Sequence, residues 1–243
     1  GTGIPGALLR RTHIDFVTHP DYLNRQLFSL PSQTWISSDV VGNNRVALIT
    51  YEYDNYTNDS RHASLTSRSN AVGHDTNYST GFTIRGNVSG VTSYANAANQ
   101  TGAVTMSTQY DILGNVVKII DANGNASTIG YDDNFGAPDG NTTTTTPPSQ
   151  LNGQSTFAFP TSVTNPIPFN WTAYTQYDYF TGAPVNAQDI NGVVSKTIYN
   201  DLLDRPTQAV TAVGTALERQ SNIIYDDANL RIETRTDLNA LND

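Results

Sequence analysis

The sequence predicts an all-β protein, built from tandem antiparallel hairpin units that continue one another in a single sheet. Three observations carry that expectation. Tyr occurs 13 times in 243 residues and Thr and Val recur throughout, residues that suit a pleated, half-buried surface. Good helix formers are scarce, with one Met and no long Ala/Leu/Glu stretch. Most informative is an internal repeat. Tyr110-Asp111, Gly114, Asp121, Gly124 and Tyr131-Asp132 are matched by Tyr177-Asp178, Gly182, Asp189, Gly192 and Tyr199-Asn200. In both copies Gly to Asp is 7 residues, Asp to Gly is 3, and Asp to the next Tyr is 10. Only the first step differs, 4 against 5, which places one extra residue around Tyr179-Phe180-Thr181.

Residues 1–45 contain Pro5, Pro20 and Pro31 and little alternation, so they are expected to form an irregular lead-in. Residues 46–136 hold the early, degenerate repeats. Tyr51-Glu52-Tyr53-Asp54 and Arg85-Gly86-Asn87-Val88 each read as a degenerate member, ahead of the clear unit at Tyr110. Within that unit, 115–120 reads as a strand, and Asp121-Ala122-Asn123-Gly124 as the hairpin turn after it. Asn-Gly between two β runs is a strong hairpin signal because Gly accepts the positive φ of the turn. An Asp at the turn entry can bond backbone N–H groups two residues on. Residues 137–154 read as a Thr/Pro-rich loop, with five Thr after Asn141 and then Pro147-Pro148, either a flexible insertion or an O-glycosylated stretch.

Residues 155–243 hold the later repeats. The run from Val193 to Tyr199 alternates with period two, the strand signature. From Tyr199 the spacing continues through Asp204, in the place of the first Gly, to Thr211 and Gly214. Tyr225-Asp226 opens a further unit, with Asn229 and Asp237 near its turn positions, and that unit is incomplete at Asp243. With Gly1 rather than Met at the start, the expectation is a processed chain or an excerpt of a longer array. Each Tyr-Asp segment is the turn opposite the Asn-Gly turn, its Tyr ring laid across neighbouring strands with the hydroxyl at a wet edge. One unit of two strands cannot bury its own face; stacked units can.

Tyr110-Asp111-Ile112-Leu113-Gly114-Asn115-Val116-Val117 resembles the opening of an RHS/YD repeat. Tyr177-Asp178 and the run Tyr199-Asn200-Asp201-Leu202-Leu203-Asp204-Arg205-Pro206 are similar to variants of it, and Arg85-Gly86-Asn87-Val88 to a partial copy. Clear matches cover residues 105–243. The family includes bacterial RHS toxins, insecticidal toxin-complex shell proteins and teneurins. The resemblance implies a long twisted or spiral sheet that winds into a hollow shell, enclosing an effector in the toxins.

Charge and residue inventory narrow the function classes. A net charge of −9 repels phosphate backbones and anionic membranes, so no nucleic-acid partner is expected. No apolar run of 18 residues occurs, so no membrane span is expected. Cys is absent, which excludes disulfides and thiolate metal sites. The recurring Asp111, Asp121, Asp178 and Asp189 read as turn formers, because a catalytic pair is unique and these are periodic. Asp121-x-Asn123-x-Asn125 imitates a calcium loop, but its sixth position is Ala126 and its twelfth Asp132. His13, His19, His62 and His74 show no zinc spacing, and His74-Asp75 suggests a local hydrogen bond. No G-x-S-x-G elbow or phosphate-binding Gly loop occurs.

The expectation is therefore a non-enzymatic structural protein with no cofactor and no metal. It would serve in a secreted or cell-surface bacterial assembly, as a shell fragment or a self-associating filament subunit. Its partners would be further copies of itself or further repeats. A carbohydrate-binding or adhesion module is the alternative, from Trp171, Tyr174, Tyr177 and Tyr179 as stacking platforms for sugar rings. Asn-x-Ser/Thr sequons stand at Asn55, Asn58, Asn77, Asn87, Asn125, Asn141 and Asn170, each a possible glycosylation position.

Overall fold

The computed structural model describes residues 10–137, 147–166 and 168–238. The chain is all-β, with fourteen strands, one short α-helix and three single-turn 3-10 helices among the described residues. It divides into two compact units, one comprising residues 1–68 and 74–126, the other residues 69–73 and 127–243. The first unit holds β1 (Arg11–Phe16), α1 (Pro20–Asn24), β2 (Pro31–Ser37), β3 (Arg45–Tyr53), β4 (Val88–Asn96), β5 (Thr101–Tyr110) and β6 (Val116–Ile120). The second holds β7 (Ala126–Gly130, all but its first residue), β8 (Ser162–Thr164), β9 (Thr172–Tyr177) and β10 (Pro184–Gln188). It continues with β11 (Val194–Ile198), β12 (Gln208–Thr211), β13 (Arg219–Asp226) and β14 (Arg231–Thr236). In each unit the strands lie in chain order and every neighbouring pair is antiparallel, an up-and-down meander.

Register sorts the side chains of the first unit onto two different faces. His13 lies opposite Trp35, and Trp35 opposite Leu48. On that face Trp35, Leu48 and Ala97 form a small core with Tyr94 against it, a buried side chain of the size of Leu48 contributing about 1.5–3 kcal/mol. His13 stacks on Trp35 at 4.7 Å, and Gly42 approaches the indole so closely that a Cβ there would lie 2.6 Å from Cη2. The same face carries Asp15, which accepts hydrogen bonds from Gln33, His13 and Trp35. These hold its carboxyl below the usual range, the Gln33 amide most strongly. The other face is apolar and uncovered: Ile14, Phe16, Val104 and Met106 are each about half exposed.

The second unit has a different character. Its buried apolar positions are few, with Val185 1% exposed, and polar side chains fill one face. Asn186 donates to Gln176 across β9 and β10 at 2.8 Å, and Gln208 donates to Gln220 and Asn222 across β12 and β13. On the opposite face the register aligns small side chains, Thr175 with Ala187 and Ser195, and Thr197 with Ala209 and Ser221.

Residues 11–37 differ from the irregular lead-in that their prolines suggested: they carry β1, α1 and β2. Pro20 sits at the start of α1, where a missing N–H breaks no bond, and Pro31 begins a strand. The Thr run of the 137–154 loop lies outside the described residues, as does the end of the last repeat at 239–243.

Candidate functional site: the Tyr-Asp turns

Two sequence fragments that look like separate degenerate repeats are the two halves of one turn. Asp54 N donates to Asn87 O at 2.9 Å, and the Asp54 carboxylate accepts the backbone N–H groups of Arg85, Gly86 and Asn87. Asp111 makes the uninterrupted version. Its N–H donates to Asn115 O, and its carboxylate accepts from Leu113 N, Asn115 N and Asn115 Nδ2. Residues 55–84 are thus an insertion into a turn, and Tyr53-Asp54 and Arg85-Gly86-Asn87-Val88 belong to a single repeat.

The same arrangement recurs along the chain. Asp121 accepts from Asn123 N and Asn125 N, and Asp189 from Asn191 N and Val193 N. Asp178 accepts from Phe180 N, Thr181 N and the Thr181 hydroxyl, in a turn one residue longer. Asp226 accepts from Asn229 through both backbone and amide. Hydrogen bonds to the charged form hold the Asp121 and Asp189 carboxyls low. For Asp121 the largest contribution is the Asn125 amide, and for Asp189 the Val193 N–H. Gly114, Gly124, Gly182 and Gly192 all have φ between +73° and +89°. Asp204 and Leu230 take the equivalent places with φ of +54° and +53°, in the left-handed region that L residues occupy at a cost.

The tyrosines before these turns share a contact that the spacing alone did not reveal. Each hydroxyl donates to a backbone carbonyl at, or two residues ahead of, the start of the preceding strand. Tyr53 reaches Pro31 at 2.9 Å, Tyr110 reaches Val88 at 2.8 Å, Tyr177 reaches Pro160 at 3.3 Å, Tyr199 reaches Pro184 at 3.2 Å and Tyr225 reaches Pro206 at 2.9 Å. Four of the five acceptors are prolines, Pro31 and Pro184 opening a strand and Pro160 and Pro206 standing just ahead of one, where no ladder donor is missed. A proline recurring 15 to 22 residues before the turn tyrosine was the available sequence signal. After Tyr131-Asp132 the chain makes a second long excursion and returns at Thr161, whose N–H donates to Gly130 O and whose hydroxyl donates to Asp132 O.

The first insertion is fixed by arginines. Arg61 donates to the carbonyls of Thr105, Asp121 and Ala122; Arg68 pairs with the fully buried Asp111 at 3.1 Å; Arg85, just after the insertion, donates to Ser79 O and Phe82 O within it. His62 lies between Asp59 and Glu52. His74 Nε2 is buried without a hydrogen-bond partner, and Asp75 caps the turn at Asn77 instead of pairing with it. Among the described residues no group of His and carboxylates converges as a metal site.

The other sequence candidates fall into different environments. The amides of Asn55, Asn87 and Asn125 donate to Glu52, Tyr56 and Asp121, and Asn58 accepts from Ser64 N. Asn77 and Asn170 are exposed, Asn170 with φ of +47°, and Asn141 lies outside the described residues. Tyr177 stacks on Phe159, and Tyr179 packs against Phe135 and Phe159, burial pushing its phenol up to about 12. Trp171 stacks on Phe169 and remains half exposed. Tyr174 lines an open groove of about 450 Å³ with Gln176, Asn186, Gln188 and Lys196.

No family profile matches the sequence, and no curated protein does. Among solved structures the chain is similar to a crystal structure of TcdB2-TccC3-TEV, with a TM-score of 0.45 and 11% identity over 93% of this chain. It is also similar to the Photorhabdus luminescens Tc holotoxin pore, with a TM-score of 0.44 and 11% identity over 93% of this chain. It spans 9% and 14% of the length of those two chains.

Proposed function

We propose that the chain is a structural repeat module of a secreted or cell-surface bacterial assembly, serving as a wall segment of an RHS-type shell or as a self-associating β subunit. The observation that carries this reading is where its conspicuous groups go. The recurring carboxylates are engaged by turn N–H groups, and the recurring phenols by carbonyls at strand starts. Side chains committed to holding a meander in register are the mark of a scaffold rather than a reaction centre. The uncovered apolar face of the first unit supports an assembly role, since an exposed apolar patch marks a surface for association. Light scattering and electron microscopy on the purified chain test self-association. Higher-order species that grow with concentration are expected, and a monomer at every concentration removes the self-associating form of the proposal.

A second reading, a carbohydrate-binding module, is favoured by the groove on the second unit. An exposed Tyr174 ring stands beside the amides of Gln176, Asn186 and Gln188 and the Lys196 ammonium, a stacking platform with donors and acceptors around it. A glycan array, with Tyr174→Ala as the paired control, tests it. An array without hits counts against this reading and leaves the scaffold reading standing.

A further inference from the structure

The insertion that splits the Asp54 turn is tied down near its start by Arg61, which reaches β5 and the turn after β6, and by His62, which reaches β3. Only 13% of the His62 side chain is exposed, and both ring nitrogens meet carboxylates. Nδ1 lies 3.0 and 2.9 Å from the two carboxylate oxygens of Asp59, and Nε2 lies 2.8 Å from Oε2 of Glu52 on β3. An ionised carboxylate can only accept, so each contact needs an N–H on the ring, and a neutral imidazole has one. Both contacts are met together by the imidazolium.

The neighbours fit that charge state. The Glu52 oxygen that faces His62 also accepts from the Ser89 hydroxyl of β4 at 3.3 Å, and its other oxygen accepts from Asn55 Nδ2 at 2.9 Å. Asp59 accepts the backbone N–H groups of Arg61 and His62. From β5, Gln109 donates to Arg61 O, while the Arg61 guanidinium is turned to the carbonyls of Thr105, Asp121 and Ala122. The charged groups facing His62 are thus Glu52 from the sheet and Asp59 from its own segment.

We infer that His62 is a protonation latch, whose imidazolium clamps residues 55–62 onto β3 and β4 and whose loss of one proton releases them. Burial pulls the imidazole down, but Asp59 and Glu52 together more than offset it, and the net shift is upward from 6.5. Asp59 is held well below the carboxylate range, by His62 first, so it stays ionised through the window. For a group whose folded pKa is raised, the stabilisation is fully present below the unfolded value and disappears as pH rises through the folded one. The latch therefore closes on the acid side and opens on the alkaline side. Opening uncovers Glu52 and Ser89, the latter now 0% exposed. The Asp54 turn itself is held by its own carboxylate and stays closed.

NMR titration of the His62 ring and hydrogen exchange of residues 55–62 in the full chain test this. The ring midpoint is expected above the ordinary histidine value. Protection of 55–62, corrected for intrinsic rates, is expected at about pH 5.5 and lost at about pH 9. Glu52→Gln should lower the ring midpoint, and His62→Gln should abolish the pH dependence while exchange in β5 and β6 is unchanged. A midpoint at or below the ordinary value, or equal protection at both pH values, overturns the latch.

Discussion

Replacing Asp111 by alanine separates a buried, paired turn carboxylate from an exposed one of the same geometry. Asp111 is fully buried, accepts from Leu113 N, Asn115 N and Asn115 Nδ2, and pairs with Arg68 at 3.1 Å. Removing it strands two backbone N–H groups and takes the carboxylate away from a guanidinium whose side chain is 15% exposed. Breaking a buried pair by deleting one partner costs about 3–5 kcal/mol. For a chain of this size that lowers the melting temperature by about 6–20 °C. Asp121→Ala removes a nearly identical set of contacts, from Asn123 N, Asn125 N and Asn125 Nδ2, in an exposed turn where water replaces them. Its shift should be clearly smaller. Asp111→Asn, which keeps an acceptor for the turn but no charge for Arg68, should fall between. Thermal melts followed by circular dichroism and urea titrations decide the matter. Equal losses at Asp111 and Asp121, or a loss under about 1 kcal/mol at Asp111, would falsify the argument from burial.

Three further outcomes follow from the turns. Leu230 is 93% exposed with φ of +53°, so Leu230→Gly should stabilise by about 1 kcal/mol, while Gly114→Ala, at φ of +89° with open space around it, should destabilise by a similar amount. A pair of thermal melts checks both signs. Tyr225→Phe deletes the 2.9 Å bond to Pro206 O while keeping the ring, and should cost about 0.5–1.5 kcal/mol by urea denaturation. Asp121 and Asp189 both have carboxyls lowered from 3.8, so their stabilisation is present above that value and lost as pH falls through the folded ones. Denaturant midpoints should therefore not lose this contribution down to about pH 5 and should drop below about pH 4; a drop beginning near neutrality would point to other groups.

The repeat turns were legible because their chemistry is local. Asp121 and Gly124 are three residues apart, and the carboxylate, the turn N–H groups and the positive φ all lie within five residues of chain. The Asp54 turn has the same parts, but 30 residues separate Asp54 from the Arg85 N–H it accepts. No spacing rule joins them, and the halves look like two weak repeats. β1 and β2 escaped for a related reason. Their alternation is broken by Pro20 and Pro31, which read as interruptions until each is seen at the start of an element, where no N–H is needed. The carbonyl that receives each turn tyrosine, a proline's in four cases of five, was signalled only by a proline at a variable distance upstream, because the partner is set by which strand lies alongside.

The sequence by itself determined the class of structure: β-rich composition, Asp and Gly at fixed turn intervals, and Tyr ahead of the turns. Those features act over a few residues, where backbone sterics and side-chain reach decide the outcome. Only the tertiary structure decided which fragments share a turn, which carbonyl each tyrosine meets, and that His62 stands between Glu52 and Asp59. These contacts span ten to thirty-odd residues in most cases, and they exist because the meander lays distant backbone side by side.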